Sequence, residues 1–196
     1  MNAMPHLTRD DLYSLEQYAE VRPEFRRKVM AHKKNRTVPV GPNATLYFED
    51  RLTMQYQIQE MLRIERTFEP EGIQEELDVY NPLIPDGSNW KATFMIEYED
   101  VEERQKRLAE LVGIEDKIWV QVGDHDRVYA IANEDLERTT PEKTSSVHFL
   151  RFELTPEMVE SAKSGAPIRT GIEHPEYTHE TEVPENVRKS LIEDLA

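Results

Sequence analysis

The sequence predicts an α+β fold in which an N-terminal helical segment is followed by a mixed or mainly antiparallel sheet with helices on one face. Three observations support this fold class. Apolar residues recur at helical spacing through the first third of the chain, a Pro-Asp-Gly turn at residues 85–87 marks a change of period, and strands then alternate with helices. We expect residues 1–82 to form the helical segment and residues 83–196 the α+β part, either as two domains or as one continuous domain.

Helix-capping residues set the elements expected before the turn. Thr8 is placed to cap a first helix, and Asp11 stands three residues later to complete a capping box. Pro23 suits the first turn of a second helix that ends near Arg36, because that turn needs no amide hydrogen from the proline. The remaining elements expected here are a strand at residues 46–48 and helices at residues 51–69 and 73–80.

Alternation and caps predict the elements beyond the turn. Residues 91–98 alternate as a strand, Asp100 caps the helix that follows, and Gly113 ends that helix by adopting a positive φ. Thr155 caps a later helix that ends at Gly165. The other expected elements are a hairpin of residues 118–122 and 127–132, strands at 146–154 and 168–172, and a terminal helix at 184–195.

The composition excludes several classes of site. The 196 residues include no cysteine, so the chain offers no disulfide, no thiolate nucleophile and no cysteine-bound zinc or iron–sulfur cluster of its own. Its 24 Lys and Arg against 39 Asp and Glu give a net charge of −15, which disfavours nucleic acid as a partner. No apolar run reaches the roughly 20 residues that cross a membrane, and the N-terminus lacks a signal-peptide core. We therefore expect a cytoplasmic protein without membrane insertion.

Positive charge is concentrated in one segment of this acidic chain. Residues 22–36 hold seven basic side chains against a single glutamate. At helical spacing, Arg22, Arg26, Lys33 and Arg36 share one face, which can dock an acidic partner surface or hold a small anion such as a phosphate ester. The simplest alternative is a solvated face that complements the acidic remainder of the chain.

A carboxylate falls on the apolar arc of the third predicted helix. Glu65 lies in the middle of that arc and Glu69 at its edge. A buried charge must be paired, protonated or bound to a metal, so we expect either an ion pair with an arginine or a functional carboxylate. With His32 from the second helix, the two glutamates would form a divalent-metal site for Fe, Mn or Zn. If the arc is buried elsewhere, Glu65 stays in water.

Two further histidine positions are candidates for specific roles. His174, Glu176 and His179 form a second possible ligand set, although Pro175 makes an acidic surface loop the simpler interpretation. His148 alternates with the apolar residues of its predicted strand, so we expect a hydrogen-bonded imidazole on the covered side of the sheet.

Six segments together resemble the bacterial domain-of-unknown-function family 3501. They are LTRDDLYSLEQY, RPEFRRKVMAHKKNR, LTMQYQIQEMLRIER, YNPLIPDG, KATFMIEY and SSVHFLRFEL, and the resemblance extends to GIEHPEY near the end of the chain. It implies no established activity and no catalytic residues. Genes of that family often neighbour rubrerythrin-like and cysteine-rich iron–sulfur oxidoreductase genes, so the resemblance implies a redox or peroxide-response setting.

Two functions of different classes follow from these observations. The chain has no P-loop, no dinucleotide-binding glycine motif, no nucleophile elbow and no HExxH sequence. The first hypothesis is therefore a non-catalytic accessory protein that docks to a rubrerythrin-like or iron–sulfur oxidoreductase partner. The alternative is a metal-dependent enzyme or metal-binding protein that uses Glu65 with His32 and Glu69.

Overall fold

The structure is a computed structural model that describes residues 5–196. Within these residues six helices and nine strands form, together with three short 3-10 turns. The helices are α1 (Leu15–Lys33), α2 (Arg51–Glu65), α3 (Pro70–Tyr80), α4 (Val101–Glu110), α5 (Pro156–Lys163) and α6 (Glu185–Ile192). The strands are β1 (Thr37–Pro39), β2 (Ala44–Glu49), β3 (Asn89–Ile96), β4 (Ile118–Val122), β5 (Val128–Tyr129), β6 (Ile131–Ala132), β7 (Val147–Glu153), β8 (Ile168–His174) and β9 (Tyr177–Glu182).

The strands form two sheets, and all paired strands within them are antiparallel. A five-stranded sheet has the order β1-β2-β3-β7-β6, and a four-stranded sheet has the order β5-β4-β8-β9. With a helical segment in front of the sheets, the predicted α+β class is confirmed.

Alternation along β3 separates the two faces of the five-stranded sheet. Trp90, Ala92, Phe94 and Ile96 enter a hydrophobic core that also contains residues of the four-stranded sheet, so both sheets share this core. The buried Trp90 indole donates a hydrogen bond to the carbonyl of Leu191 at 2.9 Å, which fixes α6 against the sheet. The intervening side chains of β3 lie on the opposite face, which the helical segment approaches.

The helical segment has two apolar clusters of its own. Tyr18, Phe25 and Val29 of α1 pack with Tyr56 of α2, and the rings of Tyr18 and Phe25 meet edge to face at 6.0 Å. On the other side of α2, its apolar residues pack with Leu77 of α3. The second helix is therefore held between the first and the third.

The first predicted helices are wrong in their boundaries. The capping box of Thr8 and Asp11 forms, but it closes only one 3-10 turn. One continuous helix, α1, then begins after Ser14 and contains Pro23 in its interior instead of starting there. Proline removes one hydrogen bond to the carbonyl four residues earlier, and that residue, Ala19, is exposed, so water can satisfy the freed carbonyl.

Two predicted elements near the sheets also differ from the structure. Residues 127–132 do not form one strand, because β5 pairs with β4 while β6 pairs with β7 in the other sheet. The segment that contains Glu176 and His179 is a hairpin that ends in β9, an edge strand with one exposed face, and not a loop. Gly113, in contrast, has the predicted positive φ, at 88°.

No helix among residues 5–196 is long and apolar enough to cross a membrane.

Candidate functional site

A cleft of about 350 Å³ lies between the helical segment and the outer face of the five-stranded sheet. This volume is within the range of small-molecule sites, which run from about 300 to 1,000 Å³. The residues that line the cleft are Lys33, Arg36, Thr37, Tyr47, Phe48, Glu49, Thr53, Met54, Gln57, Tyr80, Leu83, Thr93, Met95, Val147 and Phe149.

The register of three strands brings the floor of the cleft together. Tyr47 of β2 is paired with Thr93 of β3, which is paired with Phe149 of β7. Because side chains alternate along each strand, Glu49 lies on this same face two residues beyond Tyr47. The end of α1 and the first turns of α2 form the roof.

Glu49 places a half-buried carboxylate in the cleft. Its Oε2 accepts a hydrogen bond from the hydroxyl of Thr93 at 2.8 Å. Burial raises the pKa of Glu49, although hydrogen bonds from Thr93 and Thr53 and the charge of Lys33 act in the opposite direction. Burial therefore outweighs the local stabilisation of this charge.

Two other cations close to Glu49 in the fold are held by other partners. Lys91 stands directly opposite Glu49 in the strand register, but its ammonium donates to the carbonyl of Pro82 at 2.6 Å and pairs with Asp86 at 3.3 Å. Arg36 contacts only the backbone carbonyl of Glu49, at 2.9 Å. Across residues 5–196, the Glu49 carboxylate forms no ion pair.

Lys33 supplies the opposite charge at the cleft. Its side chain is half-buried, and its ammonium lies 5.2 Å from the centre of the Tyr56 ring, within the range of a cation–π contact. Its charge acts on Glu49, yet in the described part of the chain it forms no ion pair with any carboxylate. Lys33 was predicted as a docking residue of α1; the structure places it at the cleft.

Apolar side chains make up most of the remaining wall. Met54 comes from α2, Met95 from β3, Val147 and Phe149 from β7, and Leu83 from the turn after α3. A few polar groups that converge inside a mostly apolar cleft can orient a small organic molecule, which gains affinity from the apolar walls and specificity from the charges.

Arg36, predicted as a docking residue, is instead buried, with only 2% of its surface exposed. Its guanidinium donates to both carboxylate oxygens of Asp194, at 3.0 and 2.7 Å. It also donates to the carbonyls of Phe48, Glu49 and Ser190 at 2.9–3.2 Å. A surface partner therefore cannot contact it, and its role is to join the segment after α1 to the end of β2 and to α6.

Of the other predicted docking residues, only Arg26 is exposed. Arg22 donates two hydrogen bonds of 2.9 Å to the carboxylate of Glu60, which also accepts from the Tyr18 hydroxyl at 2.6 Å. The hydrogen bond from Arg22 lowers the pKa of Glu60 to about 2. Arg22 is thus paired within the helical segment.

The first predicted metal set is not brought together. The expectation that Glu65 is buried is wrong: both Glu65 and Glu69 are exposed. His32 lies at the other end of α2, where its Nε2 is 2.6 Å from Asp50, the residue that caps this helix. At 1.5 Å per residue, the length of α2 separates His32 from Glu65 by roughly 20 Å.

In the second predicted metal set, both ring nitrogens of His174 are already in use. His174 is buried, its Nε2 lies 2.9 Å from the carbonyl of Val112, and its Nδ1 accepts from the amide of Glu176 at 3.0 Å. His179 is exposed beside the ring of Tyr177. No group of three His, Asp or Glu residues among residues 5–196 is arranged to hold a metal ion.

His148 is a buried imidazole with hydrogen-bond partners, as its alternation predicts. Its Nδ1 lies 2.8 Å from the amide nitrogen of Asn133, and its Nε2 lies 2.7 Å from the hydroxyl of Thr144. Burial lowers the pKa of His148. Glu115 is 4.0 Å away, and its Oε2 is buried without a hydrogen-bond partner among the described residues.

Sequence reasoning missed Glu49, although a signal for it exists. The segment ATLYFE alternates, so extending the predicted strand from residues 46–48 to β2 places Thr45, Tyr47 and Glu49 on one face. The burial of that face under helices depends on the arrangement of elements distant in the chain, which periodicity alone does not give.

Comparison with known proteins identifies the family. The chain matches the family described as protein of unknown function, DUF3501, over residues 6–195. The chain belongs to this family. It is also similar to the crystal structure of a novel protein of unknown function from Burkholderia pseudomallei K96243, with 53% sequence identity, 98% of this chain and 100% of that chain covered, and a TM-score of 0.93. No curated protein matches the chain.

Proposed function

We propose that this protein binds a small organic molecule in the cleft between the helical segment and the five-stranded sheet. The observation that carries the proposal is a half-buried carboxylate, Glu49, in an apolar cleft of about 350 Å³. A raised pKa caused by burial, inside a concave site with few polar groups, is typical of binding and catalytic sites.

Methionine methyl groups allow a direct test of this proposal. Met54 and Met95 line the cleft, whereas Met158 belongs to the core between the sheets. In protein carrying 13C-methyl methionine, we expect the neutral probe 2-phenylethanol to shift the signals of Met54 and Met95 and to leave that of Met158 unchanged.

A pair of matched variants locates the binding. Val147→Phe adds bulk to the cleft wall, and we expect it to abolish the shifts. Val101→Phe makes the same change at a residue of α4 that is 57% exposed, and we expect the shifts to persist. Unmoved Met54 and Met95 signals at millimolar probe, or shifts that survive Val147→Phe, would contradict the proposal.

We propose as a second function that the protein docks to an acidic surface of a redox partner in the cytoplasm. The support is a set of exposed cations on one side of the basic segment, which remain available after Arg22 and Arg36 are paired internally; these are Arg26, Arg27 and Lys34. They fall within about 100° of the helix circumference at 100° per residue, so one partner surface can contact all three. The family setting points to a rubrerythrin-like or cysteine-rich iron–sulfur oxidoreductase as the partner.

Salt dependence distinguishes this docking role from ligand binding alone. We expect the partner oxidoreductase to bind at low ionic strength, with an association rate that falls as salt is added. Arg26→Glu should weaken this binding at low salt, while Lys28→Glu, at an exposed position on the opposite side of α1, should weaken it less. Absence of binding at both low and high salt would overturn the docking proposal.

A further inference from the structure

We infer that the ligand of the cleft is a zwitterion, whose ammonium binds Glu49, whose carboxylate binds Lys33, and whose apolar group packs against the methionine and phenylalanine walls. This inference rests on the proposed binding function and names the chemical class of the ligand. An apolar α-amino acid, or a molecule with the same head group, is the simplest member of this class.

The charges of the cleft support two ionic groups on the ligand. Glu49 and Lys33 line the same cleft, and neither forms an ion pair within residues 5–196. A cation alone would compensate Glu49 but would face the ammonium of Lys33, and an anion alone would face the carboxylate of Glu49. A ligand with one charge of each sign satisfies both side chains without leaving a half-buried charge uncompensated.

The surrounding charges do not compete for these two positions. Arg36 is bound by Asp194, and Lys91 is bound by Asp86 and the Pro82 carbonyl. Tyr47 presents its ring to the cleft but donates its hydroxyl to Glu97 at 2.9 Å.

The walls and the volume support an apolar group on the same ligand. Met54, Met95, Val147 and Phe149 are all apolar, and methionine adapts to rings of different shape. The volume of about 350 Å³ accommodates a molecule of amino-acid size with one ring. A nucleotide fits the charges poorly, because the cleft offers only one half-buried ammonium to its several phosphates.

Four probes with the same aromatic ring test the charge requirement. They are phenylalanine, 2-phenylethylamine, 3-phenylpropionate and the neutral 2-phenylethanol, titrated into the full chain while the Met54 and Met95 methyl signals are followed. We expect phenylalanine to bind at least tenfold more tightly than each of the other three probes.

Matched variants assign each charge to its residue. Glu49→Gln and Lys33→Gln should each lower the affinity for phenylalanine at least tenfold and leave the affinity for 2-phenylethanol unchanged. The control Glu182→Gln removes an exposed carboxylate on the other sheet, and Lys28→Gln removes an exposed ammonium of α1 that is outside the cleft; neither should change the binding of phenylalanine. Far-ultraviolet circular dichroism confirms that each variant is folded.

The outcomes separate this inference from the proposed function. If 2-phenylethanol shifts the cleft methyls and phenylalanine binds no more tightly than the amine or the acid, the zwitterion inference is overturned and the binding function stands. The inference also fails if Glu49→Gln and Lys33→Gln leave the affinity for phenylalanine unchanged. If none of the four probes shifts Met54 and Met95, the binding function and the inference fall together.

Discussion

The buried ion pair of Arg36 and Asp194 gives the sharpest prediction about the fold. Arg36→Met keeps an unbranched side chain but removes the guanidinium, so a carboxylate with 1% exposure loses its cation. Removing one partner of a buried pair costs about 3–5 kcal/mol of unfolding free energy. The carbonyls of Phe48, Glu49 and Ser190 lose a donor as well, which places the expected cost at the upper end of this range.

A double-mutant cycle shows whether the uncompensated charge is the cause. Arg36→Met with Asp194→Leu removes both charges of the pair, while Asp50, 3.7 Å from Arg36, keeps its contact with His32. We therefore expect a loss of only about 1–3 kcal/mol, chiefly from the carbonyls left without donors and from the weaker compensation of Asp50. Urea unfolding followed by the fluorescence of the buried Trp90 and Trp119 measures each variant. The control Arg188→Met removes an arginine paired with the exposed Glu185 and should cost less than about 1 kcal/mol.

The pH dependence of the Arg36→Met variant tests the same reasoning. Burial raises the pKa of Asp194 to about 6 even beside Arg36, so without the guanidinium the pKa rises further. A carboxyl group whose pKa is raised in the folded state is relatively stabilised as pH falls, so the deficit of the variant should shrink between pH 8 and pH 5. A loss below about 1 kcal/mol for Arg36→Met, or a double variant that equals the sum of the two single ones, would refute the account.

Three further predictions concern stability. Glu60→Gln should lower the free energy of unfolding by about 2 kcal/mol at pH 7, as measured by urea unfolding. This difference from the wild type should vanish as pH falls from 4.5 towards 2, because the carboxylate of Glu60 stabilises the fold only while it is ionised. Glu49→Gln should leave the free energy of unfolding unchanged or raise it by up to about 1 kcal/mol at pH 7, because burial disfavours the ionised form of Glu49. The control Glu182→Gln should have no effect, and a clear loss of stability for Glu49→Gln would contradict this prediction. Gly171→Ala should cost about 1–3 kcal/mol and alter the near-ultraviolet circular dichroism, because a methyl group there would lie 2.5 Å from the Trp119 ring.

Local signals in the sequence predicted the elements whose ends are fixed by their own residues. Asp100 accepts from the amide of Glu103 at 2.8 Å, and Thr155 accepts from the amide of Met158 at 3.2 Å, as their spacing indicates. The alternation of residues 91–98 likewise predicted β3, although the strand starts and ends two residues earlier. These features depend on neighbours in sequence, so one sequence is sufficient to find them.

The interpretation of Glu65 failed because the predicted helix was too long. The apolar arc that surrounds Glu65 included Phe68, but α2 ends at Glu65 and Arg66 adopts a left-handed conformation with φ 52°. The chain therefore turns away before Phe68. Phe68 is 72% exposed and Ile64 is 67% exposed. The apolar arc of the predicted helix does not reach a core at this end, so the residues around Glu65 that lie on it are not buried.

The basic segment shows why charge patterning alone did not reveal the site. Its charges are clustered in sequence but divided in space: Arg22 is paired with Glu60 of α2, Arg36 with Asp194 near the C-terminus, and Lys33 faces the cleft. Asp194 is 158 residues from Arg36 in the chain, and no local rule connects positions so far apart. Only the approach of α6 to the segment after α1 decides which cation is internal and which is available.

Two consecutive carboxylates illustrate how the fold separates a structural charge from one available for binding. Asp50 is buried, but the hydrogen bond with His32 and the charge of Arg36 lower its pKa, and it caps α2 through the amide of Thr53 at 3.0 Å. Glu49 is the preceding residue, and its pKa is raised by burial. Strand alternation directs the Glu49 side chain into the cleft, away from His32 and Arg36. Two neighbouring carboxylates whose environments shift their pKa values in opposite directions commonly have different roles. Asp50 already has its partners within the fold, whereas Glu49 forms no ion pair among residues 5–196 and is the carboxylate available to the ligand that we propose.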